Sequence, residues 1–321
     1  MRILSVDGGG YLGLAVGSLL HGLEMHFKTS CHARFDLFCG TSTGAIIALG
    51  MASGLTAHQI VGLYEELGVK VFGAGGKVSR SFKFAKSLVT SKYGNSELKQ
   101  ALDAAFQDMT LGDLRQSGKR AVIPAFCVTN GSPRIFNTGQ APDQTMHDGY
   151  RIADIALASS AAPSYFPMVK LERPAPQTGA EVFCDGGVVA NHPAMIGFAE
   201  ALGRLRTPPG DISLLSISTP RVDLSRPLAV KGRLSRGLLG WAPSLSSAFI
   251  DSGSAMMHEA LNRIVDAFPE PRPRYQRLQL DNKKGLPMDL ASDDARIVLT
   301  QIGTEAAAKA DVRSDLRPFF V

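Results

Sequence analysis

The chain has 321 residues, 45% of them hydrophobic and 20% charged. This balance fits a soluble globular protein and excludes an intrinsically disordered one. No apolar run reaches the ~18 residues that a membrane span needs, and polar Asp7 with its glycines interrupts the opening run, so we expect neither a span nor a secretory signal. The net charge of +5 is mild, and we expect no DNA or RNA partner.

The cysteines are too scattered to suggest a bonded framework. They are Cys31, Cys39, Cys127 and Cys184. None forms a CxxC pair or a spacing typical of metal ligands, so we expect reduced thiols in the cytoplasm, with no metal and no cofactor.

The first half of the chain alternates short apolar runs with segments of helical spacing. These predict strands at 2–6 and 34–39, and helices at 13–27, 44–52, 57–67 and 96–106. Thr56 and Asn95 stand directly before the last two helices, where their side chains are expected to act as caps.

The second half continues the alternation. Strands are predicted at 121–128, 133–138, 181–184, 212–218 and near 274–280, and helices at 151–162, 193–205 and near 244–268 and 293–310. Segments 73–95, 170–180 and 221–243 are the loosest, but none separates two independent halves. We therefore predict an α/β architecture with a largely parallel sheet, in a single domain spanning 1–321.

One serine stands between two glycines in Gly40-Thr41-Ser42-Thr43-Gly44, which is a GxSxG pattern. Such a pattern needs a sharp strand-to-helix turn that exposes the serine hydroxyl at the carboxyl edge of a sheet. A predicted strand precedes it and a predicted helix follows it. This context favours a nucleophilic serine over a turn that merely contains one.

A second motif, Asp7–Gly13, joins the first strand to the first helix and contains three consecutive glycines. The backbone N–H groups of Gly8, Gly9 and Gly10 can converge on one point, which suits an anion or a developing alkoxide. The alternative is a purely structural turn.

The same loop has another interpretation, because Gly8, Gly10 and Gly13 also match the GxGxxG fingerprint of dinucleotide-binding proteins. That function needs an acidic residue at the end of the second strand. Asp36 lies within that strand, which instead runs into the serine motif. This mismatch counts against nucleotide binding at the loop. A nucleotide-binding or catalytically weak regulatory protein is therefore kept only as the second hypothesis.

A third motif, Asp185-Gly186-Gly187, ends a predicted strand. Its glycines leave the carboxylate uncrowded, as a general base beside a serine requires. Asp-Gly is also one of the commonest turn signals, so the motif alone favours an ordinary turn.

Together these motifs resemble the patatin-like phospholipase family of serine lipid acyl hydrolases. The matching stretches are Asp7–Gly13, Gly40–Gly44, Ser159–Pro167, Asp185–Ala194 with its Asn-x-Pro tail, and the strand LLSIS. The resemblance covers residues 1 to about 220, and the remaining hundred, 221–321, match only generically.

The resemblance implies a three-layer patatin-like fold and a catalytic dyad. Ser42 would attack an ester carbonyl, Asp185 would accept its proton, and the amides of Gly8, Gly9 and Gly10 would form the oxyanion hole. Supporting motif residues are Asp7, Gly13, Gly40, Gly44, Gly186 and Gly187. The substrate would be a membrane phospholipid, hydrolysed at the inner face of the membrane.

Two features qualify this interpretation. The family usually carries a basic residue where this chain has Leu12, which leaves the backbone amides without a fixed positive charge nearby. His192 and His258 follow Ser42 and Asp185 in the order of a hydrolase triad. The dyad hypothesis predicts that neither histidine is the base.

Two segments mix basic and aromatic residues, 70–92 and 221–245. They suit a lid or a lipid-facing surface, although solvated loops would have the same composition. The amino-acid sequences of the first two motifs resemble those of bacterial patatin-like effectors that cyclic nucleotides activate in antiphage signalling. We therefore expect a cyclic di- or oligonucleotide as the activator. A homo-oligomer is compatible with the sequence, which does not fix the oligomeric state.

Overall fold

The computed structural model describes residues 1–72, 91–139, 145–221 and 245–321. Within these ranges one eight-stranded sheet has the path β5-β6-β3-β2-β1-β7-β8, with β4 paired to β3. The strands are β1 Arg2–Val6, β2 Leu37–Gly40, β3 Arg120–Cys127, β4 Ser132–Asn137, β5 Val169–Glu172, β6 Ala180–Cys184, β7 Ser213–Ile217 and β8 Arg274–Leu278.

The α-helices cover both faces of this sheet. They are α1 Gly13–Phe27, α2 Cys31–Arg34, α3 Thr43–Ser53, α4 Ala57–Leu67, α5 Ser96–Phe106, α6 Leu111–Gln116, α7 Ile152–Ser159, α8 Gly187–Ala190, α9 Ala194–Ala199, α10 Leu245–Asp266, α11 Asp293–Ala308 and α12 Ala310–Phe320. Short 3₁₀ turns occur at Gly10–Leu12 and Pro209–Asp211, and π turns extend α4 and α9 at Gly68–Phe72 and Glu200–Arg204. No helix of the described residues is long and apolar enough to cross a membrane.

Side chains of the central strands alternate between two cores, as the pleat requires. Leu4 and Phe38 face the larger core, which α1, α3, α4, α7 and α11 cover. Ile3 faces a smaller core on the opposite side, together with Phe198 of α9 and Leu261 of α10. The predicted α/β fold, with helices on both faces of a mainly parallel sheet, is confirmed.

The parallel part of the sheet contains β3, β2, β1, β7 and β8. β4, β5 and β6 form an antiparallel extension. Val122 pairs with both β2 and β4, and Phe126 pairs with both β4 and β6. Since β4 occupies one edge of β3 throughout, β2 and β6 must share the other edge. β6 therefore lies beyond the end of β2 and runs back towards it.

Several predicted details differ from the structure. The Asn95 side chain does not cap α5, whereas Thr56 caps α4 in a full capping box with Gln59. α7 ends at Ser159 rather than continuing to Pro163. The carbonyl of its last residue, Ser159, and that of Ala161 instead accept hydrogen bonds from the chain that follows β6, and a continued helix would engage those carbonyls within itself.

Five elements were not predicted: α2, α6, α8, α12 and β5. The first three and β5 have six residues or fewer, too few for a periodic pattern to be recognised, and β5 lies mostly within the loose segment 170–180. α12 has 11 residues and directly follows the helix predicted near 293–310. Residues 73–90 and 222–244, which make up most of the other two loose segments, lie outside the described residues.

Candidate active site

The serine motif forms a sharp turn between β2 and α3. Ser42 has φ 56° and ψ −123°, which is a left-handed conformation that non-glycine residues adopt rarely and at some cost. A Cβ at Gly40 would collide with the backbone of Gly44, and one at Gly44 with the carbonyl of Val6. Both glycines are therefore required by close backbone approach, as the GxSxG pattern predicts.

The turn brings the serine hydroxyl against a carboxylate. Ser42 Oγ donates a hydrogen bond to Asp185 Oδ2 at 2.7 Å, although the two residues are 143 positions apart. Asp185 follows the last residue of β6, and β6 runs back towards the end of β2. The antiparallel return thus carries the carboxylate to the serine.

The Asp185 carboxylate is buried and has no cation among the partners described for it. Burial raises the pKa of Asp185 to about 6, although hydrogen bonds from Ser42 and from the Gly187 amide favour the ionised form and limit the shift. The Gly187 N–H donates to Asp185 Oδ1 at 2.6 Å. One carboxylate oxygen is therefore held by the backbone while the other faces the hydroxyl. With this pKa the carboxylate is mostly ionised at neutral pH and is a stronger base than an ordinary aspartate.

Ser159, at the end of α7, connects the parts of this site. Its hydroxyl accepts the Ser42 N–H at 3.0 Å and donates to the Pro124 carbonyl of β3 at 2.8 Å. Its carbonyl accepts the Gly186 N–H at 3.0 Å, and the Ala161 carbonyl accepts the Asp185 N–H at 2.9 Å. Ser159 and Ala161 thus fix the Ser42 turn and Asp185 together.

The glycine-rich loop lies directly beside Ser42. A Cβ at Gly8 would lie 3.3 Å from the Ser42 Cβ. The Gly8 N–H donates to the Asn191 carbonyl at 3.2 Å, so this amide already has an acceptor. No acceptor among the described residues is seen for the amides of Gly9 and Gly10, and Gly10 has a φ of 59°.

An aromatic cluster begins directly after these glycines. The Tyr11 ring contacts Phe72 at a centroid distance of 5.9 Å, and Phe72 contacts Tyr93 and Phe166 at 5.4 and 6.2 Å. The Tyr11 N–H donates to the Met288 carbonyl at 2.7 Å. Tyr11 and Tyr93 are 2% and 8% exposed, so this cluster belongs to the core next to the glycine-rich loop.

Asp7, the first residue of the loop motif, is fully buried in a charged cluster. Arg277 Nη2 and Arg221 Nη2 donate to Asp7 Oδ2 at 2.6 and 2.7 Å, and His192 Nδ1 lies 3.0 Å from Asp7 Oδ1. Burial raises the pKa of Asp7, but Arg277 and His192 outweigh burial and hold that pKa well below its usual range. Asp7 is therefore a permanently ionised group.

A family model described as Patatin-like phospholipase matches residues 4–198. The chain belongs to this family. The motifs from the glycine-rich loop to the Asn-x-Pro tail lie within that match, whereas the strand LLSIS at 214–218 lies beyond it. The predicted family and enzyme class are confirmed.

Two bacterial relatives of this patatin-like phospholipase carry the name cGAMP-activated phospholipase. One, from Pseudomonas aeruginosa, is 32% identical over 268 residues, which cover 82% of this chain and 75% of that protein. The other, from Escherichia coli, is 31% identical over 240 residues, covering 70% of this chain and 64% of that protein. The crystal structure of VipD from Legionella pneumophila superimposes with a TM-score of 0.48 and 15% identity, covering 99% of this chain and 67% of VipD.

The alternative dinucleotide interpretation is not favoured in this patatin-like phospholipase. β2 ends at Gly40 and continues into the serine turn, so no acidic side chain follows it in the position that a ribose would require. Gly13 is explained by packing, because a Cβ there would collide with the side chains of Thr43 and Tyr64. Leu12 is buried in the core, and brings no charge to the loop.

The two histidines of the triad alternative lie in the Asp7 cluster. His192 Nε2 lies 3.3 Å from the Tyr275 hydroxyl, and His258 Nδ1 lies 2.8 Å from the same hydroxyl. Burial lowers the pKa of His192 and of His258. Both histidines have partners other than Ser42.

Sequence reasoning missed three parts of this patatin-like phospholipase site: the Ser159 hydroxyl, the Asn191 backbone and Arg277. Ser159 and Asn191 lie in stretches that resemble the family, Ser159–Pro167 and Asp185–Ala194, but nothing in the sequence predicted which groups they would contact. Of the basic segments, Lys70 pairs with Glu66 and Lys92 pairs with Asp289. The other basic residues of 73–90 and 222–244 lie outside the described residues. Among the described residues, no cluster of His, Cys, Asp or Glu could hold a metal ion.

Proposed function

We propose that this protein is a serine lipid acyl hydrolase that cleaves ester bonds of membrane phospholipids with a Ser42–Asp185 dyad. The observation that carries the proposal is the 2.7 Å hydrogen bond from Ser42 Oγ to Asp185 Oδ2. Proton transfer requires a base within hydrogen-bond reach and a pKa near the working pH. The Asp185 carboxyl has both properties, because burial raises its pKa to about 6.

In the proposed reaction, Asp185 takes the hydroxyl proton of Ser42 as Oγ attacks the ester carbonyl carbon. The carbonyl oxygen becomes an oxyanion, and the ester bond then breaks as Asp185 returns the proton to the leaving alkoxide. Water attacks the resulting acyl-serine, again losing a proton to Asp185. That proton passes to Ser42 Oγ as the fatty acid leaves, which regenerates the dyad.

We assign the oxyanion hole to the glycine-rich loop beside Ser42. The amides of Gly9 and Gly10 are the favoured donors, since neither has an acceptor among the described residues. Gly8 was predicted as a third donor, but in this conformation its N–H faces the Asn191 carbonyl. Its contribution would require that bond to open.

The family match and the names of the relatives, which are phospholipases, support a lipid substrate. The names of the relatives support activation by a cyclic nucleotide. We propose such activation for this protein, with action at a membrane surface.

Covalent labelling and lipid analysis test the hydrolase. An active-site fluorophosphonate should modify the wild type at Ser42 and leave Ser42→Ala unlabelled. Phospholipid vesicles treated with wild type should accumulate free fatty acid and lysophospholipid, while Ser42→Ala should give neither. Labelling at a different serine, or equal lipid release by both proteins, contradicts the proposal.

Activation is tested separately with the same vesicles. Lipid release is measured with 3′,3′-cGAMP, with other cyclic di- and trinucleotides, and with linear dinucleotides as matched controls. An increase with one cyclic compound supports the effector function. Equal release under all conditions rejects activation by these compounds but leaves the hydrolase intact.

A further inference from the structure

The C-terminal hundred residues, which the family model does not match, contact the glycine-rich loop at several points: Arg221 pairs with Asp7, the Met288 carbonyl accepts the Tyr11 N–H, and the buried side chain of Arg277 also pairs with Asp7. Arg277 lies on β8 and pairs in register with Ser216 of β7, which in turn pairs with Ser5 of β1. Its side chain is 3% exposed and crosses β7 to meet Asp7, the residue that follows β1.

The guanidinium of Arg277 has several partners at the end of β1. Nη2 donates to Asp7 Oδ2 at 2.6 Å, and Nη1 lies 3.4 Å from Asp7 Oδ1. Nη1 also donates to Ser216 Oγ at 2.7 Å and lies 2.8 Å from His192 Nδ1. The forked, planar group therefore fixes the plane of the carboxylate as well as its position, which a single point charge does not do.

Fixing Asp7 fixes the start of the glycine-rich loop. The Asp7 N–H donates to the Ile217 carbonyl of β7 at 3.0 Å. The Gly8 carbonyl accepts from Thr219 Oγ1 at 2.7 Å, and the Gly8 N–H donates to the Asn191 carbonyl. Asn191 is the neighbour of His192, and Thr219 follows β7, so the groups that hold Gly8 are continuous with the groups that surround Asp7.

Glycines have little conformational preference of their own, so three in succession need external contacts to keep their amides in one orientation. An oxyanion hole depends on that orientation, because its donors lower the barrier only when they already point at the developing charge. Residues 8 to 10 are all glycine, so the loop has no side chain there that could orient these amides.

We propose that Arg277 is a positioning residue for the oxyanion hole: its ion pair with Asp7 holds the glycine-rich loop in the orientation that stabilises the transition state. This inference rests on the proposed function of Ser42 and Asp185. Arg277 touches neither of those residues, so it acts only through Asp7 and the loop.

The test compares Arg277→Met with Arg274→Met, a matched change at an exposed arginine of the same strand. For a soluble p-nitrophenyl ester, Arg277→Met should lower kcat about 30- to 100-fold with KM changed less than about threefold. The affinity for a trifluoromethyl ketone, which forms a tetrahedral adduct with the serine, should fall by a similar factor. Arg274→Met should match wild type in all three quantities.

A conservative variant keeps the test decisive if Arg277→Met does not fold. Arg277→Lys keeps the charge but loses the fork, so it should fold, with kcat and ketone affinity each reduced about 5- to 20-fold. The pH midpoint of kcat/KM should not move in this variant, because the dyad is unchanged.

Three results would overturn the inference. They are a kcat for Arg277→Met within threefold of the Arg274→Met value, a fall in kcat without a fall in ketone affinity, and a folded Arg277→Lys that equals wild type while Arg277→Met fails to fold. Failure of the proposed function is a different outcome: wild type itself would then lack Ser42 labelling and ester hydrolysis.

Discussion

Two buried aspartates, Asp7 and Asp185, lie on either side of the same serine turn and have opposite chemical properties. Asp185 has hydrogen-bond donors but no cation among its described partners, and burial raises the pKa of its carboxyl to about 6. Burial acts on Asp7 in the same direction, but Arg277 and His192 hold its pKa well below the usual range. The residue type and the degree of burial are alike, so the neighbouring charges alone make one carboxylate a base and the other a fixed anion.

This difference explains why the two residues suit different tasks. A group that exchanges a proton in each turnover needs a pKa close to the working pH. A group that holds a loop in place needs a charge that does not change.

The largest effect is expected on catalysis at the dyad. Asp185→Asn and Ser42→Ala should each lower kcat by at least about 10³-fold, because either change removes the base–nucleophile pair. Initial rates on a soluble ester measure this effect. His258→Ala is the control and should stay within about twofold of wild type. A histidine variant as inactive as Ser42→Ala would replace the dyad with a triad.

The second prediction concerns the free energy of unfolding of Asp7→Asn. This change leaves the buried Arg277 guanidinium without its carboxylate, so we expect a loss of about 3–5 kcal/mol at neutral pH. Urea unfolding followed by circular dichroism measures the loss. A matched change at the exposed Asp294 should cost under about 1 kcal/mol, because it removes only a favourable interaction with the N-terminus of α11. A loss under about 1 kcal/mol would mean that the ion pairs of Asp7 do not stabilise the fold.

Asp185→Asn is expected to increase the free energy of unfolding, whereas Asp7→Asn should decrease it. The folded-state pKa of Asp185 is raised from 3.8 to about 6, so the ionised form destabilises the fold by up to about 3 kcal/mol above that pH. Asparagine removes the charge, and the variant should gain up to this amount at about pH 8. The gain should shrink as pH falls through 6 and vanish below about pH 4, where the carboxyl is protonated in both states. An equal gain at both extremes would contradict the pKa shift.

The smallest effect is the pH dependence of the wild-type enzyme. The base must be ionised, so kcat/KM should be constant above about pH 7 and fall tenfold per unit below about pH 6, following the pKa of Asp185. Initial rates on the soluble ester measure the profile, with circular dichroism as a check that the protein stays folded. A midpoint near pH 4 would indicate that the carboxyl is not desolvated in solution.

Sequence reasoning predicted the parts of the site that depend on local structure. The turn at Ser42 was predictable because its requirements are local: a strand, two glycines at positions of close approach, and a helix. The contact of Ser42 with Asp185 was expected from the resemblance, and the structure places the two side chains 2.7 Å apart. Their catalytic role stays a prediction.

Other parts of the site were beyond the sequence. The cap expected at Asn95 is absent. α7 ends early, at Ser159, whose carbonyl accepts a tertiary hydrogen bond from the Gly186 N–H. The route of Asp185 to the serine depends on β6 running antiparallel along the edge of β3. No periodicity in four or five residues encodes that direction.

The sequence by itself determined most local conformations: the longer strands and helices, the two glycines of the serine motif, and which serine stands at a sharp turn. Sterics and apolar periodicity act over a few residues, so they can be read along the chain. Only the tertiary structure decided that Arg277 would meet Asp7 across 270 positions and that Ser159 would join two motifs. Such contacts depend on strand order, register and burial, which the whole chain fixes together.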